Sequence, residues 1–377
     1  MAYNDSSSII INITDEYLSY RPPEWFFSLF VPLFSGLVCI TGIPGNGFVM
    51  FMLLRYSGLR TVPNVYIFNL ALADLMFLCS LPFLAYLNST FQWIFGGIMC
   101  KLVLGIDGMN MFTGIYILTA MSVDRYLAIV HGIRSMKYRT VKMAKFVNCA
   151  MWALSVAVTL PVWIYAQEYE GGCDMSLPDH LGKSWFILYT FVLGFIVPVF
   201  IITGCYVFIS YHILTTEGPR SENKQKSITG QKKVFVMVAL AVAVFIICWL
   251  PFYIVRLVYI FGVYNKKVII LFFVSMWMGY ANSALNPLIY TYTGGNFRRN
   301  FAKMRKRSSG SRRSSFRNSD RHTTIRRGDK IQYTKPNRTK RRKVNHNHDV
   351  DYDTTYTTCV YVPNHSREVI TELVSVI

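Results

Sequence analysis

Acidic residues are scarce in this chain. Its 377 residues carry 20 Asp and Glu against 39 Lys and Arg, a formal net charge of +19. The eight cysteines are scattered without metal-ligand spacing, which argues against a cysteine metal centre. The apolar stretches hold no Ser/His/Asp constellation and no Gly-rich phosphate loop, so no enzyme is expected. No basic n-region with a short apolar run and cleavage site opens the chain, and no cleavable leader is expected. Internal repeats and paired broken helices, the marks of many transporters, are missing too. What remains is 53% hydrophobic and 15% aromatic, with a mean hydropathy of +0.32. A soluble domain does not combine that hydropathy with so much charge, whereas a membrane body with a basic appendage does. From Asn296 onward there are 20 Lys and Arg against 7 Asp and Glu, so the tail holds most of the basicity. Anionic lipid at the cytoplasmic leaflet suits that charge better than nucleic acid does, because the body is tethered to a bilayer.

Seven apolar stretches, at roughly 27–54, 63–87, 97–122, 143–165, 185–213, 233–262 and 268–292, can each span a bilayer. The expected fold is therefore an all-α membrane protein, a seven-helix transmembrane bundle over 27–293. Pro161, Pro198, Pro251 and Pro287 fall inside spans, where neighbours and waters can satisfy the freed carbonyls. Orientation follows the bases. Arg55 and Arg60 follow span 1; Arg134, Lys137, Arg139, Lys142 and Lys145 follow span 3; Arg220, Lys224, Lys226, Lys232 and Lys233 follow span 5. The opposite loops carry Glu168, Glu170, Asp174 and Asp179. The N-terminus is thus placed outside, with residues 1–26 polar and bearing glycosylation sequons at Asn4 and Asn12. The C-terminus is placed in the cytoplasm. Asn88 also heads a sequon, but it lies too near the membrane for ready glycosylation.

This topology sorts the cysteines. Cys39, Cys79, Cys149, Cys205 and Cys248 lie in spans as small hydrophobes, and Cys359 lies in the tail. Cys100, at the outer start of span 3, and Cys173, in the second outer loop, share an oxidising compartment, and a disulfide between them is expected.

One span carries an acid at a depth where charge is expensive. Asp107 lies within Leu102-Val103-Leu104-Gly105-Ile106-Asp107-Gly108-Met109, and an intramembrane carboxylate marks a functional site by default. Eighteen residues on stand Asp124-Arg125-Tyr126, roughly 27 Å away at about 1.5 Å per residue.

The tail opens with Phe297, Phe301 and Met304 among bases, a spacing that suits a short amphipathic helix over 294–306 on the inner leaflet. Residues 307–377 read as a disordered, basic cytoplasmic segment. Within it, Ser314 and Ser315 follow Arg312-Arg313 as a basophilic-kinase site, and Thr354 and Thr355 sit beside Asp351 and Asp353 as receptor-kinase and arrestin sites. Chance hydroxyl content of a disordered tail is the competing reading. The final Ser375-Val376-Ile377 fits a PDZ ligand. Arg327-Gly328-Asp329 is cytoplasmic and has no adhesion role.

In chain order the spans carry Gly45-Asn46, Asn69-Leu70-Ala71-Leu72-Ala73-Asp74, Asp124-Arg125-Tyr126, Trp152, Pro198 with Tyr206, Phe245 with Cys248-Trp249-Leu250-Pro251, and Asn286-Pro287-Leu288-Ile289-Tyr290. This set resembles the rhodopsin-like (class A) G-protein-coupled receptors over about 27–304. Finer strings are Asp107-Gly108-Met109-Asn110-Met111-Phe112-Thr113, Tyr189-Thr190-Phe191-Val192-Leu193-Gly194-Phe195, Cys248-Trp249-Leu250-Pro251-Phe252-Tyr253, Tyr280-Ala281-Asn282-Ser283 and Asn296-Phe297-Arg298-Arg299. They resemble the somatostatin receptors, with opioid and invertebrate allatostatin-C receptors next.

The resemblance implies a plasma-membrane neuropeptide receptor that binds a cationic peptide and activates a heterotrimeric G protein. The short basic link after span 5 resembles that of receptors coupling to inhibitory (Gi/o) proteins, which lower cAMP. Opioid-like or allatostatin-C-like receptors are the alternatives, and a seven-span transporter or channel is the rival from another class. Asp107 is implied as the ligand counter-ion, or else as an acid neutralised internally, for instance by Tyr280. Trp249, Phe252 and Tyr253 are implied as the apolar and aromatic floor, or else as helix packing, and Met111, one turn below Asp107, is implied as a ligand-site position that is glutamine in some somatostatin receptors and methionine in others. Arg256 stands where the family usually has a neutral amide. It could pair with Glu168, Glu170 or Asp174, receive a ligand carboxylate, or snorkel to the rim.

Asp74, Asn110, Asn282, Ser283 and Asn286 are implied around an allosteric sodium ion, with no other cofactor. Gly114 replaces a serine ligand there, and water with a proton is the alternative occupant. Asp124, Arg125, Tyr126, Tyr206, Asn286, Pro287 and Tyr290 are implied in activation: Arg125 leaves Asp124 for the G protein while Tyr206 and Tyr290 turn inward. The somatostatin receptors' usual cysteine after the amphipathic helix is missing, so palmitoylation there is not expected.

Overall fold

The computed structural model describes residues 23–57, 60–178, 182–215, 222–262 and 266–293. These belong to one compact unit. Seven helices are long and apolar enough to cross a membrane: span 1 Phe26–Arg55, span 2 Val62–Thr90, span 3 Gly96–Val130, span 4 Val141–Val158, span 5 Ser184–Thr215, span 6 Val234–Ile260 and span 7 Lys267–Thr293.

Burial is arranged as a bilayer demands. Leu33, Ile40 and Phe200 are 64%, 73% and 80% exposed, while Asp74, Asn110, Asp124, Arg125, Ser283 and Asn286 are buried. Apolar side chains clothe the outside, and polar ones turn toward other helices.

The segment boundaries differ from the sequence reading in three informative places. Span 3 continues to Val130, so Asp124, Arg125 and Tyr126 stand on the helix rather than at its end. Span 4 stops at Val158, and Pro161 opens a separate turn, Leu160–Tyr165, instead of kinking a longer span. Proline is favoured at the first helical positions because its missing N–H needs no partner there. Third, most of the link between spans 5 and 6 is helical. The sixth helix starts at Glu222, twelve residues before its apolar part, leaving only 216–221 outside the described residues.

Span 5 contains a π-helical turn at Val192–Ile196, just before Pro198. A proline cannot donate to the carbonyl four residues back, and a wider turn is one local adjustment. Inside the other spans lie Pro44, Pro82, Pro251 and Pro287.

The second outer loop forms a hairpin of β1, Ala166–Tyr169, and β2, Gly172–Met175, with Glu168 opposite Cys173. Its two turn residues, Glu170 and Gly171, both have positive φ (48° and 78°), as a tight two-residue hairpin turn requires. The loop is fixed at two points. Cys173 is bonded to Cys100 with Cα atoms 5.6 Å apart, and the Trp93 amide donates to the Gly171 carbonyl at 2.6 Å.

Candidate functional site

Cys100 and Cys173 hold the hairpin beside the outer end of span 3, two turns above Asp107. The surroundings of Asp107 follow from its neighbours in sequence. Gly105 has no side chain, and a Cβ there would lie 2.6 Å from the Trp163 ring, so the turn after span 4 packs directly on span 3. Lys101 Nζ donates to the Ile164 carbonyl from the same side at 3.2 Å.

Asp107 is only partly buried. The Tyr280 hydroxyl of span 7 faces its carboxylate. Tyr280 is itself set by an aromatic cage, with the Phe77 ring at 5.1 Å and the Trp277 ring at 5.0 Å. Among the described residues no cation is paired with Asp107. An acid facing one neutral hydroxyl at the mouth of an apolar bundle keeps strong attraction for an incoming cation.

The floor beneath Asp107 joins spans 3, 5 and 6. The Tyr253 hydroxyl reaches Met111 Sδ at 3.3 Å and the Thr190 carbonyl at 3.3 Å. The Phe252 ring stands edge-on to Trp249 at 5.6 Å and to Tyr253 at 5.7 Å. The Trp249 ring lies over Gly279, where a Cβ would come within 3.1 Å.

Arg256 forms none of the pairs with Glu168, Glu170 or Asp174 that its position suggested. Its guanidinium stands over the Phe252 ring at 5.4 Å and the Phe186 ring at 5.8 Å, and its Nε is buried without a hydrogen-bond partner. The rings of spans 5 and 6 draw the head sideways, because an aromatic face attracts a guanidinium.

Deeper in the bundle, Asn286 Nδ2 donates to Asp74 Oδ2 at 2.9 Å, with Ser283 near this carboxylate. Asn110 Nδ2 donates to Ser283 Oγ at 3.3 Å. The side-chain oxygens of Asn110, Asn282 and Asn286 are buried without partners. A carboxylate with spare amide oxygens is the donor chemistry that suits a hard cation. Nearby, Asn46 Nδ2 donates to the Ser283 carbonyl at 2.9 Å and ties span 1 to span 7.

At the cytoplasmic end Arg125 is paired with Asp124. The sequence reading missed a second partner: Arg139 Nε donates to Asp124 Oδ1 at 2.8 Å, and its terminal nitrogen to Oδ2 at 3.2 Å. Arg139 had appeared only as one of several inner-loop bases, and no local spacing singles it out. Tyr206 stacks on Phe235 at 4.8 Å. The hydroxyls of Tyr206 and Tyr290 are both buried without a hydrogen-bond partner. Tyr126 Oη and a ring nitrogen of His131 lie 3.2 Å apart. Pro287 is buried against Gly45, where a Cβ would come within 3.2 Å.

A cleft of about 600 Å³ between spans 3, 4 and 5 is lined by side chains such as Val123, Met151, Leu154 and Ile201 and ends at Asp124 and Arg139. Its walls suit hydrocarbon and offer little to orient a charged peptide. The candidate ligand site is therefore the Asp107 cleft. Asn4, Asn12, Ser314, Ser315, Thr354, Thr355, Ser375, Val376 and Ile377, with the expected amphipathic helix over 294–306, lie outside the described residues.

Comparison with known proteins agrees with this arrangement. The family described as "7 transmembrane receptor (rhodopsin family)" matches residues 45–290. Somatostatin receptor type 2 of Mus musculus is 41% identical over 280 residues, covering 70% of this chain and 74% of that protein. Somatostatin receptor type 1 of Rattus norvegicus is 38% identical over 285 residues, covering 74% and 72%. Somatostatin receptor type 5 of Bos taurus is 40% identical over 280 residues, covering 73% and 75%. These relatives are receptors, which leaves neither an enzyme nor a transporter or channel as the reading. The chain belongs to the rhodopsin family of seven-transmembrane receptors, similar to its somatostatin receptors, and is a multi-pass G-protein-coupled peptide receptor of the plasma membrane with its N-terminus outside.

Proposed function

We propose that this receptor binds a cationic, somatostatin-type peptide through Asp107 and activates an inhibitory (Gi/o) G protein, lowering cAMP. The observation that carries the reading is the Asp107 carboxylate, which among the described residues faces the neutral Tyr280 hydroxyl and is paired with no cation. A ligand Lys or Arg supplies the missing charge, and an adjacent ligand aromatic side chain meets Phe252, Tyr253 and Trp249. Names of the relatives support somatostatin as the type of peptide. The basic helical extension before span 6 supports the inhibitory coupling. A panel of somatostatin-type, opioid-type and allatostatin-C-type peptides, read as cAMP in cells with and without pertussis toxin, tests it. Toxin-sensitive cAMP suppression by Lys-bearing somatostatin-type peptides is expected. Suppression that only Lys-free peptides elicit, or a toxin-resistant rise in cAMP, contradicts it.

Activation in this reading is a shift of populations. The agonist favours a state in which Arg125 has left Asp124 and the Tyr206 and Tyr290 hydroxyls have gained partners. A sodium ion at Asp74, with Asn110, Asn282, Ser283 and Asn286, favours the opposite state. Gly114 contributes no oxygen ligand, so the remaining donors carry the ion. Arrestin and receptor kinases acting on Thr354 and Thr355, a basophilic kinase acting on Ser314 and Ser315, and a PDZ protein capturing Ser375-Val376-Ile377 complete the proposal. Agonist-driven arrestin recruitment that survives alanine at both threonines, or PDZ capture that survives removal of the last three residues, rejects the respective part.

A further inference from the structure

We infer that the peptide carries an anionic group as well as its cation, and that Arg256 receives it. The inference rests on Asp107 as the seat of the cation.

Spans 3 and 6 run in opposite directions through the bundle and touch where the Tyr253 hydroxyl meets Met111 Sδ at 3.3 Å. Asp107 lies four residues outward of Met111, and Arg256 lies three residues outward of Tyr253. At 1.5 Å per residue, both stand about 5 Å above that contact. Acid and base therefore flank one cleft at similar depth from facing helices, which is the arrangement in which an internal ion pair would form. It does not form. Asp107 faces the Tyr280 hydroxyl, and Arg256 is drawn onto the rings of Phe186 and Phe252.

The rings offset part of the cost of placing a cation there, but they accept poorly from its N–H groups. A guanidinium has five donors in a rigid fork, and the one on Arg256 Nε is buried without an acceptor. The loop acids Glu168 and Glu170 form no ion pair with it. Among the described residues the two poles are thus held apart, and each is left short of an opposite charge. A carboxylate fits the fork of Arg256 in two-point fashion, and a ligand bearing both charges satisfies both poles at once. The carboxylate can belong to a ligand Asp or Glu side chain or to its free C-terminus.

The test uses the full-length receptor at the surface of cells, with G-protein activation as the readout. The probes are disulfide-cyclised peptides holding one Lys beside a Trp, made in matched pairs. One set carries Glu or Gln at each other position in turn, and one set ends in a free acid or an amide, so the two sources of carboxylate are told apart. Wild type is expected to prefer the acid member of at least one pair by about 10-fold or more. Arg256→Gln is expected to bring that preference within about 2-fold while the requirement for the ligand Lys persists. No acid preference in any pair, or a preference that Arg256→Gln leaves intact, overturns the inference. Should Arg256→Gln fail to reach the surface, Arg256→Lys decides, because it keeps the charge but loses the fork: a reduced preference supports the role, and an undiminished one overturns it. The Lys requirement reads Asp107 and the acid preference reads Arg256, so the two failures are distinct. A wild type that responds to no probe overturns both.

Discussion

Arg139, nine residues past the end of span 3, donates to both oxygens of Asp124, the same carboxylate that holds its neighbour Arg125. Two guanidiniums on one buried acid make this pairing a three-member cluster. Removing the acid leaves both guanidiniums uncompensated, whereas removing either base leaves a balanced pair. Asp124→Asn is therefore expected to raise agonist-free G-protein activity, and a shift of one or two kcal/mol corresponds to roughly 5- to 30-fold in the minor population. Arg139→Ala has the less obvious outcome. It is expected to change basal activity measurably, because Asp124 loses a clamp that fixes its orientation. Basal activity equal to wild type at matched surface level would make Arg139 a bystander.

Gly194 lies in the π-helical turn of span 5, where a Cβ would come 2.6 Å from the Tyr253 hydroxyl and 2.8 Å from Phe112. Gly204, further along the same span, has open space at its Cβ. Gly194→Ala is expected to cost about 1–3 kcal/mol through overpacking, seen as a lower melting temperature of the purified receptor. Gly204→Ala is expected to leave it nearly unchanged. Equal melting temperatures for the two variants would mean the turn yields freely.

Asn286 donates to the Asp74 carboxylate, and the side-chain oxygens of Asn110, Asn282 and Asn286 are buried without partners. Replacing choline chloride with sodium chloride at constant ionic strength is expected to weaken agonist binding several-fold, since an ion bound to one state shifts the equilibrium away from the other. Asp74→Asn is expected to abolish that difference. A sodium effect of the same size in Asp74→Asn would put the ion elsewhere.

Much of this arrangement was legible in the sequence, for identifiable reasons. Apolar runs and the distribution of bases are read by the bilayer itself, so the seven spans and their orientation follow from composition. Cys100 and Cys173 could be matched because topology left them as the two cysteines on the outer side. Asp107 announced itself because an acid at that depth has few structural excuses. Arg139 did not, since its partner lies fifteen residues away and nothing local distinguishes it from Lys137 or Lys142. The stop of span 4 at Val158 was hidden because hydropathy continues through Leu160-Pro161-Val162-Trp163 while the helix does not. For Arg256 the sequence offered loop acids, a ligand or water. The choice of ring faces depended on Phe186, seventy residues away on another span.

The central claim is that Asp107 receives the ligand's cation. Its most direct test is a double-mutant cycle between wild type and Asp107→Asn on one side and a peptide with Lys or its uncharged isostere norleucine on the other, with binding affinity measured for all four combinations. A coupling of about 2 kcal/mol or more is expected for a close charge pair sheltered from water. The Lys peptide should lose its advantage over norleucine once Asp107 is neutral. Losses that simply add, with coupling within about 0.5 kcal/mol, would place the cation elsewhere and contradict the account.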